Sequence, residues 1–379
     1  MKDLLDGNKC AAIAARLAHV KAVPCFPITP QTEIIETIQK WKANGEFKGE
    51  FTQLESEHSV MSAAIGAAMT GARTFTATSS QGLLLMHEML PIASGTRTPM
   101  VMVNVSRGLS APITLWPDHN DILAMRDSGW ITFICETNQE VLDSIIIGYK
   151  VGENPKIALP VLVNMDGFIH SYTREIVEVP EQKLVDKFLP KNMFLEIKLD
   201  VKNPKTLGIP VIGEYMKYRA QLHKAMLDSF AVIRKAHVEW KKLTGRKYDL
   251  IESYKLKDAD VVMVIMGPNT TIARAAVDKM RKKGKKVGLL RIRLYRPFPE
   301  KEIRKALEGF KKIIVADQSI CPGMSGILYP EIKMALYGTK VKISNFIIGL
   351  GGAVLTDDSF VEIFDDVFKS KEEVRKWLM

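Results

Sequence analysis

Three side chains in the first third of the chain could act together: the Thr29 hydroxyl, the Glu57 carboxylate and the Arg107 guanidinium. Each lies just beyond a short apolar run that reads as a parallel strand, which puts all three on one edge of one sheet. In open α/β sheets that edge binds ligands. A guanidinium is the side chain best suited to hold a carboxylate through two parallel hydrogen bonds, and a threonine hydroxyl beside it can bond a carboxylate or carbonyl oxygen. Each residue also has a plainer reading. Thr29-Pro30 reads as a helix start, with Thr as N-cap and Pro at the first helical position. An acid in a helix's first turn offsets the dipole, and position alone does not separate Glu57 from Glu55. A lone arginine is most often a surface residue. The run Thr76-Ala77-Thr78-Ser79-Ser80-Gln81-Gly82 ends another strand with small polar groups. It reads as a ligand-contacting loop, without the glycine spacing and lysine of a phosphate loop.

The elements that must position these groups alternate strand with helix. Strands are expected at 22–26, 51–54, 74–78, 100–105, 131–135 and 160–165. Between them lie helical stripes such as Ile34, Ile35, Ile38 and Trp41. A second unit repeats the pattern from Ala259, with strands at 261–266, 287–292, 312–316 and 341–348. The fold class is α/β, with two doubly wound, mostly parallel sheets. Residues 1–235 form the first domain, including an irregular excursion at 181–205 and a connecting helix over about 213–243; 236–258 form a linker and 259–379 a second domain.

Composition narrows the function. The chain has 379 residues, 46% hydrophobic and 25% charged, which is ordinary for a globular protein. No apolar run approaches the ~20 residues that span a bilayer, and no secretory h-region is present, so no membrane contact and a cytoplasmic location are expected. Cys10, Cys25, Cys135 and Cys321 are widely scattered; closely spaced thiolates for zinc or an iron–sulfur cluster are absent. Net charge is +10, concentrated partly in Lys279-Met280-Arg281-Lys282-Lys283-Gly284-Lys285-Lys286 and in Arg291, Arg293 and Arg296. This stretch reads as a solvated helix end and turn rather than a patch for an acidic partner. Without interleaved aromatics, nucleic acid is not expected as a partner. His119 reads as a loop histidine without an assigned role.

Several motifs in order resemble the alpha subunit of multi-subunit 2-oxoacid:ferredoxin oxidoreductases, most closely those acting on pyruvate. They are Pro27-Ile28-Thr29-Pro30, Ser56-Glu57 before a small-residue helix, Phe75-Thr76-Ala77-Thr78-Ser79-Ser80-Gln81-Gly82-Leu83-Leu84-Leu85-Met86, Val105-Ser106-Arg107, Asp118-His119-Asn120-Asp121 and Arg291-Ile292-Arg293-Leu294-Tyr295-Arg296-Pro297-Phe298-Pro299. The resemblance covers nearly the whole chain. It implies a pyrimidine-type thiamine diphosphate-binding domain followed by a transketolase C-terminal-like domain. It favours Glu57 over Glu55 as the carboxylate that bonds the cofactor's aminopyrimidine N1′, and implies that Arg107 clamps the substrate carboxylate with Thr29 bonding beside it. It further implies oxidative decarboxylation of pyruvate to acetyl-coenzyme A, reversibly, with electrons passed to ferredoxin. Relatives handle branched-chain 2-oxoacids, 2-oxoglutarate or oxalate instead.

Thiamine enzymes bind Mg²⁺ and diphosphate through a Gly-Asp-Gly motif, which this sequence lacks. The implied assembly is therefore a higher-order hetero-oligomer. A beta subunit supplies the diphosphate half and Mg²⁺, gamma and delta subunits or their equivalents join it, and the iron–sulfur clusters sit on partners. Two rival readings stand beside this one. A non-catalytic assembly subunit is disfavoured by the joint presence of Thr29, Glu57 and Arg107. A nucleotide-binding module or acyl ligase lacks its phosphate loop.

Overall fold

The structure is a computed structural model that describes the chain apart from residues 192, 194, 196–197, 205 and 207–211. In the first half the strands are β1 (Lys2–Leu5), β2 (Ala22–Cys25), β3 (Glu50–Gln53), β4 (Phe75–Thr78), β5 (Val101–Ser106), β6 (Ile131–Ile134), β7 (Val161–Asp166) and β8 (Glu175–Glu178). In the second they are β9 (Ile251–Tyr254), β10 (Val261–Ile265), β11 (Val287–Ile292), β12 (Leu294–Arg296), β13 (Lys312–Asp317), β14 (Lys342–Ile347) and β15 (Arg375–Trp377). All the strands expected from the sequence are present to within a residue or two. The excursion expected at 181–205 lies partly outside the described residues; its described portion includes a helix, Gln182–Phe188.

The first sheet has the order β12-β6-β7-β5-β4. A parallel bridge between Ala22 and Thr74 continues it into the parallel β2–β3 pair. From β2 the chain steps outward to β3, then returns past β2 to β4, so the direction of winding reverses between β2 and β4. That reversal opens a crevice at the carboxyl ends of the strands. The second sheet runs β15-β14-β13-β10-β11-β9, parallel except for β9. It takes in β9 from the segment expected as a linker, while β12 leaves it to pair antiparallel with β6.

Period-two burial explains the continuous apolar runs. In β10, Val261, Met263 and Ile265 face helices Asn269–Lys282 and Asp357–Lys369, whereas Val262 and Val264 face the first domain. There they share one core with Met102, Ile134 and Leu162 of the first sheet. The opposite face of the first sheet is covered by helices Gly7–Leu17, Asn138–Gly152 and Tyr215–Thr244. The last of these buries Leu222, Ala225, Ser229, Ile233, Ala236 and Trp240, a single stripe at helical spacing, and ends at Gly245 with φ 78.

The arginines of the basic stretch also serve the join. Arg291 is fully buried and reaches Glu140 at 2.7 Å, Glu252 at 3.1 Å, Glu136 at 3.2 Å and the Ile134 carbonyl oxygen at 3.1 Å. Arg293, equally buried, donates to Ser144 Oγ at 2.7 Å and stacks 4.4 Å from the Tyr248 ring centroid. Burial alone would raise the Glu140 carboxyl, but the Arg291 and Arg293 charges hold it at about 2. Arg296 pairs with Glu331 at 2.6 Å, Arg281 with Asp258 at 2.8 Å and Lys279 with Asp357 at 3.0 Å. Much of the apparent patch is thus neutralised inside the fold. Removing one member of a buried pair strands its partner's charge. Arg291→Ala is accordingly expected to lower the unfolding free energy by roughly 3–5 kcal/mol in urea titrations.

Candidate functional site

Thr29 follows β2, Glu57 follows β3, Ser79–Gln81 follow β4 and Arg107 follows β5, so the winding reversal gathers all of them at one edge. Ser56 caps the helix Glu57–Met69, accepting from Ser59 N–H. That turns Glu57 inward, 6% exposed, while Glu55 stays at the surface and accepts from Ser59 Oγ. Gly82 is required here: a Cβ on it would lie 2.4 Å from Glu57 Oε1 and 2.6 Å from Thr78 Oγ1. Among the described residues, nothing donates a hydrogen bond to the Glu57 carboxylate. At the same sheet edge, Thr78 Oγ1, Ser79 Oγ, Gln81 Nε2 and Arg107 Nε are buried without partners among the described residues.

Arg107 and Thr29 meet, though not as an N-cap would require. The helix begins at Thr32, after Gln31. An N-cap carbonyl must accept from the first helical turn. Instead, the Thr29 carbonyl accepts from Arg107 Nη1 at 2.7 Å and the Pro30 carbonyl from Asn8 Nδ2 at 3.1 Å. The Gln31 side chain donates to the Ala77 carbonyl at 2.5 Å, tying this loop to β4. The Thr29 side chain is left exposed. Burial lowers the Arg107 pKa, while the nearby Asp121 and Glu57 charges oppose the shift.

Asp121 anchors the edge from below. Fully buried, it accepts from Ser80 N–H at 3.1 Å, Asn104 Nδ2 at 3.0 Å, Ser106 Oγ at 2.9 Å, Arg107 N–H at 3.2 Å and Ile122 N–H at 2.6 Å. Ser80 adopts φ 48, a left-handed conformation disfavoured for a residue with Cβ. The sequence names Asp121 in a motif but not its role, because all its partners but the adjacent Ile122 lie 14 to 41 positions away.

The loop that follows Arg107 carries apolar side chains. Gly108 N–H donates to the Trp116 carbonyl at 2.9 Å, folding the following loop back. Ile113, Thr114, Leu115 and Trp116 then line a cavity of about 540 Å³ with Phe168 and Tyr172. The Trp116 and Phe168 rings meet edge-on at 4.6 Å.

The fold and this polar edge define an α/β protein with a ligand site at the switch point of its first sheet. Residues 13–237 match the family described as "Pyruvate flavodoxin/ferredoxin oxidoreductase, thiamine diP-bdg", and residues 259–360 match pyruvate:ferredoxin oxidoreductase core domain II. The chain belongs to this oxidoreductase family. It is 45% identical to the pyruvate synthase subunit PorA of Methanocaldococcus jannaschii, over 99% of this chain and 97% of the relative. It is 44% identical to that of Methanothermobacter thermautotrophicus, over 95% of this chain and 94% of the relative. It is 43% identical to the ketoisovalerate oxidoreductase subunit VorA of Pyrococcus horikoshii, over 98% and 95%. Among solved structures, the 2-oxoglutarate:ferredoxin oxidoreductase from Magnetococcus marinus, with 2-oxoglutarate, coenzyme A and succinyl-CoA bound, shares the fold at TM-score 0.76 and 20% identity. The likeness covers 97% of this chain and 65% of that one. No helix among the described residues is long and apolar enough to cross a membrane.

Behind the edge lie titratable groups shaped by burial. It pushes Asp118 and Asp166 up to about 6, helped for both by the Asp121 charge. It presses His119 and His170 down to about 4. His119 is packed within the fold: a Cβ on Gly267 of the second domain would touch its ring at 3.0 Å, and its Nε2 has no partner among the described residues. Folded His119 takes its proton near pH 4, against an ordinary 6.5, so its contribution to stability is full above 6.5 and is lost as pH falls towards 4. The stability advantage of the parent over His119→Asn should therefore shrink on acidification through that window, by at most about 1.4 kcal/mol per pH unit. Denaturant titrations at stepped pH check it.

Proposed function

We propose that Glu57, Thr29 and Arg107 form the pyrimidine-side half of a thiamine diphosphate site, and that the chain is the alpha subunit of an enzyme that oxidatively decarboxylates pyruvate to acetyl-coenzyme A, passing electrons to ferredoxin. One observation carries this reading: a buried carboxylate with no donor among the described residues lies at a switch-point crevice, beside a guanidinium. The aminopyrimidine needs such an acceptor at N1′, and the glycine at position 82 leaves the Glu57 oxygens their room. Thiamine diphosphate, when bound, supplies the nucleophilic carbon and the electron sink for decarboxylation.

The chain's own residues do the rest. Glu57 holds a proton at the pyrimidine nitrogen. Arg107 takes the substrate carboxylate, and Thr29, exposed beside it, bonds the substrate's oxygen; together they fix the reacting geometry. The names of the Methanocaldococcus jannaschii and Methanothermobacter thermautotrophicus relatives support pyruvate as the first reading. The name of the Pyrococcus horikoshii relative supports a branched-chain 2-oxoacid as the second reading.

Partner subunits complete the site. The missing Gly-Asp-Gly assigns diphosphate and Mg²⁺ to a beta subunit. The four cysteines are scattered along the chain without the close spacing that an iron–sulfur cluster needs. Electrons therefore leave through clusters on other chains, such as gamma and delta subunits. In the assembled complex, Glu57→Gln is expected to lower turnover by at least about 10²-fold; near-parent turnover would refute its role. Arg107→Met should raise the half-saturating concentration of pyruvate by roughly 10- to 100-fold, whereas an unchanged value would remove the clamp. A rate comparison of pyruvate with 2-oxoisovalerate separates the two substrate readings.

A further inference from the structure

The Arg107 head group is already partly engaged within the chain. Its Nη1 donates to the Thr29 carbonyl and its Nη2 to the Gln81 side-chain oxygen at 2.7 Å. Arginine has donors only, so the atom of Gln81 that faces it must be the oxygen, which fixes the amide's orientation. Ser80 Oγ lies 2.7 Å from that same oxygen and 2.8 Å from the Gly108 carbonyl, and with one proton for two acceptors it leaves the orientation to Arg107. The amide nitrogen is thereby turned away from Arg107. Gln81 Nε2 is buried and finds no acceptor among the described residues, as is Arg107 Nε. An unmade buried donor is costly, and native folds keep few of them. The same turn carries Ser80 at φ 48 and is pinned by Asp121, so the loop holds this orientation at a further conformational cost.

We propose that Gln81 is a substrate-binding residue of this site, whose Nε2 donates to a carboxylate oxygen of the 2-oxoacid beside Arg107. The inference rests on the reading of Arg107 as the carboxylate clamp. A neutral donor suits the chemistry. Decarboxylation discharges the carboxylate, and a second cation there would stabilise the substrate more than the transition state. An amide adds direction to the grip without adding charge.

Gln81→Glu and Gln81→Met in the assembled, cofactor-loaded complex separate binding from support. Glutamate still accepts from Arg107, but offers a bound carboxylate an acceptor in place of a donor. The charge added in Gln81→Glu would by itself oppose a bound anion, so the neutral Gln81→Met is measured with it, and the proposal requires both to shift. Two readouts are compared with the parent: the half-saturating pyruvate concentration, and the oxamate concentration that gives half of the maximal rise in Tm. Both are expected to increase by roughly 10- to 100-fold, the range for losing a hydrogen bond to a charged group, with thiamine diphosphate content matching the parent. Values within about twofold of the parent would overturn the proposal. Should Gln81→Glu fail to assemble, Gln81→Met decides, with at least a roughly tenfold increase expected and parent-like values again overturning it. Arg107→Met is measured alongside. If it shifts both readouts while the Gln81 variants do not, the Gln81 inference alone fails. If it shifts neither, the clamp reading fails and the inference with it.

Discussion

A single buried carboxylate organises the ligand edge. Asp121 gathers backbone N–H groups from the turn after β4 and the end of β5, together with the Asn104 and Ser106 side chains. Burial pushes its carboxyl up, and these donors pull it back. Without that acceptor, Ser80 would have little to offset its left-handed backbone, and the N–H of Arg107 would be buried unpaired. The side chains facing the ligand are thus held by a residue that faces away from it. Such support from behind is what a preorganised site requires.

The two domains behave as one body around this point. They share a continuous core, exchange β12, and trap Arg291 among Glu136, Glu140 and Glu252. An ion cluster of this kind adds little net stability over an apolar equivalent, while the loss of any one member leaves a buried charge unpaired.

Much of the fold was legible because its strands are buried on both faces and read as continuous apolar runs, as in β10 and β5. What escaped were elements whose partners are distant. Strand β12 sits inside the motif from Arg291 to Pro299, and nothing local shows that it pairs with β6. Strand β9 joins the second sheet by one antiparallel edge, without a helix to announce it. At the site, strand-end position alone brought Thr29, Glu57 and Arg107 together. The expectation that Thr29-Pro30 starts a helix failed because Arg107 and Asn8 claim the carbonyls a helix would use. Glu55 and Glu57 were inseparable by position, and the Ser56 cap separates them by turning one inward. Asp121 carried a motif but no role, since its work is done through contacts that no spacing reveals.

The second sheet has its own switch point, between β13 and β10, where a free-standing domain of this type would take a ligand. Here residues of the first domain occupy it. His119 N–H donates to the Gln318 carbonyl, Asn120 bonds Ile320 through both its side-chain atoms, and Gln318 reaches the Pro117 carbonyl. A crevice that elsewhere recognises small molecules here recognises a loop of its own chain. Because Asn120 grips the main chain of Ile320, it is the path of the 318–320 turn rather than its side chains that must be kept. A second domain borrowed from a relative would therefore have to arrive with a turn of the same path.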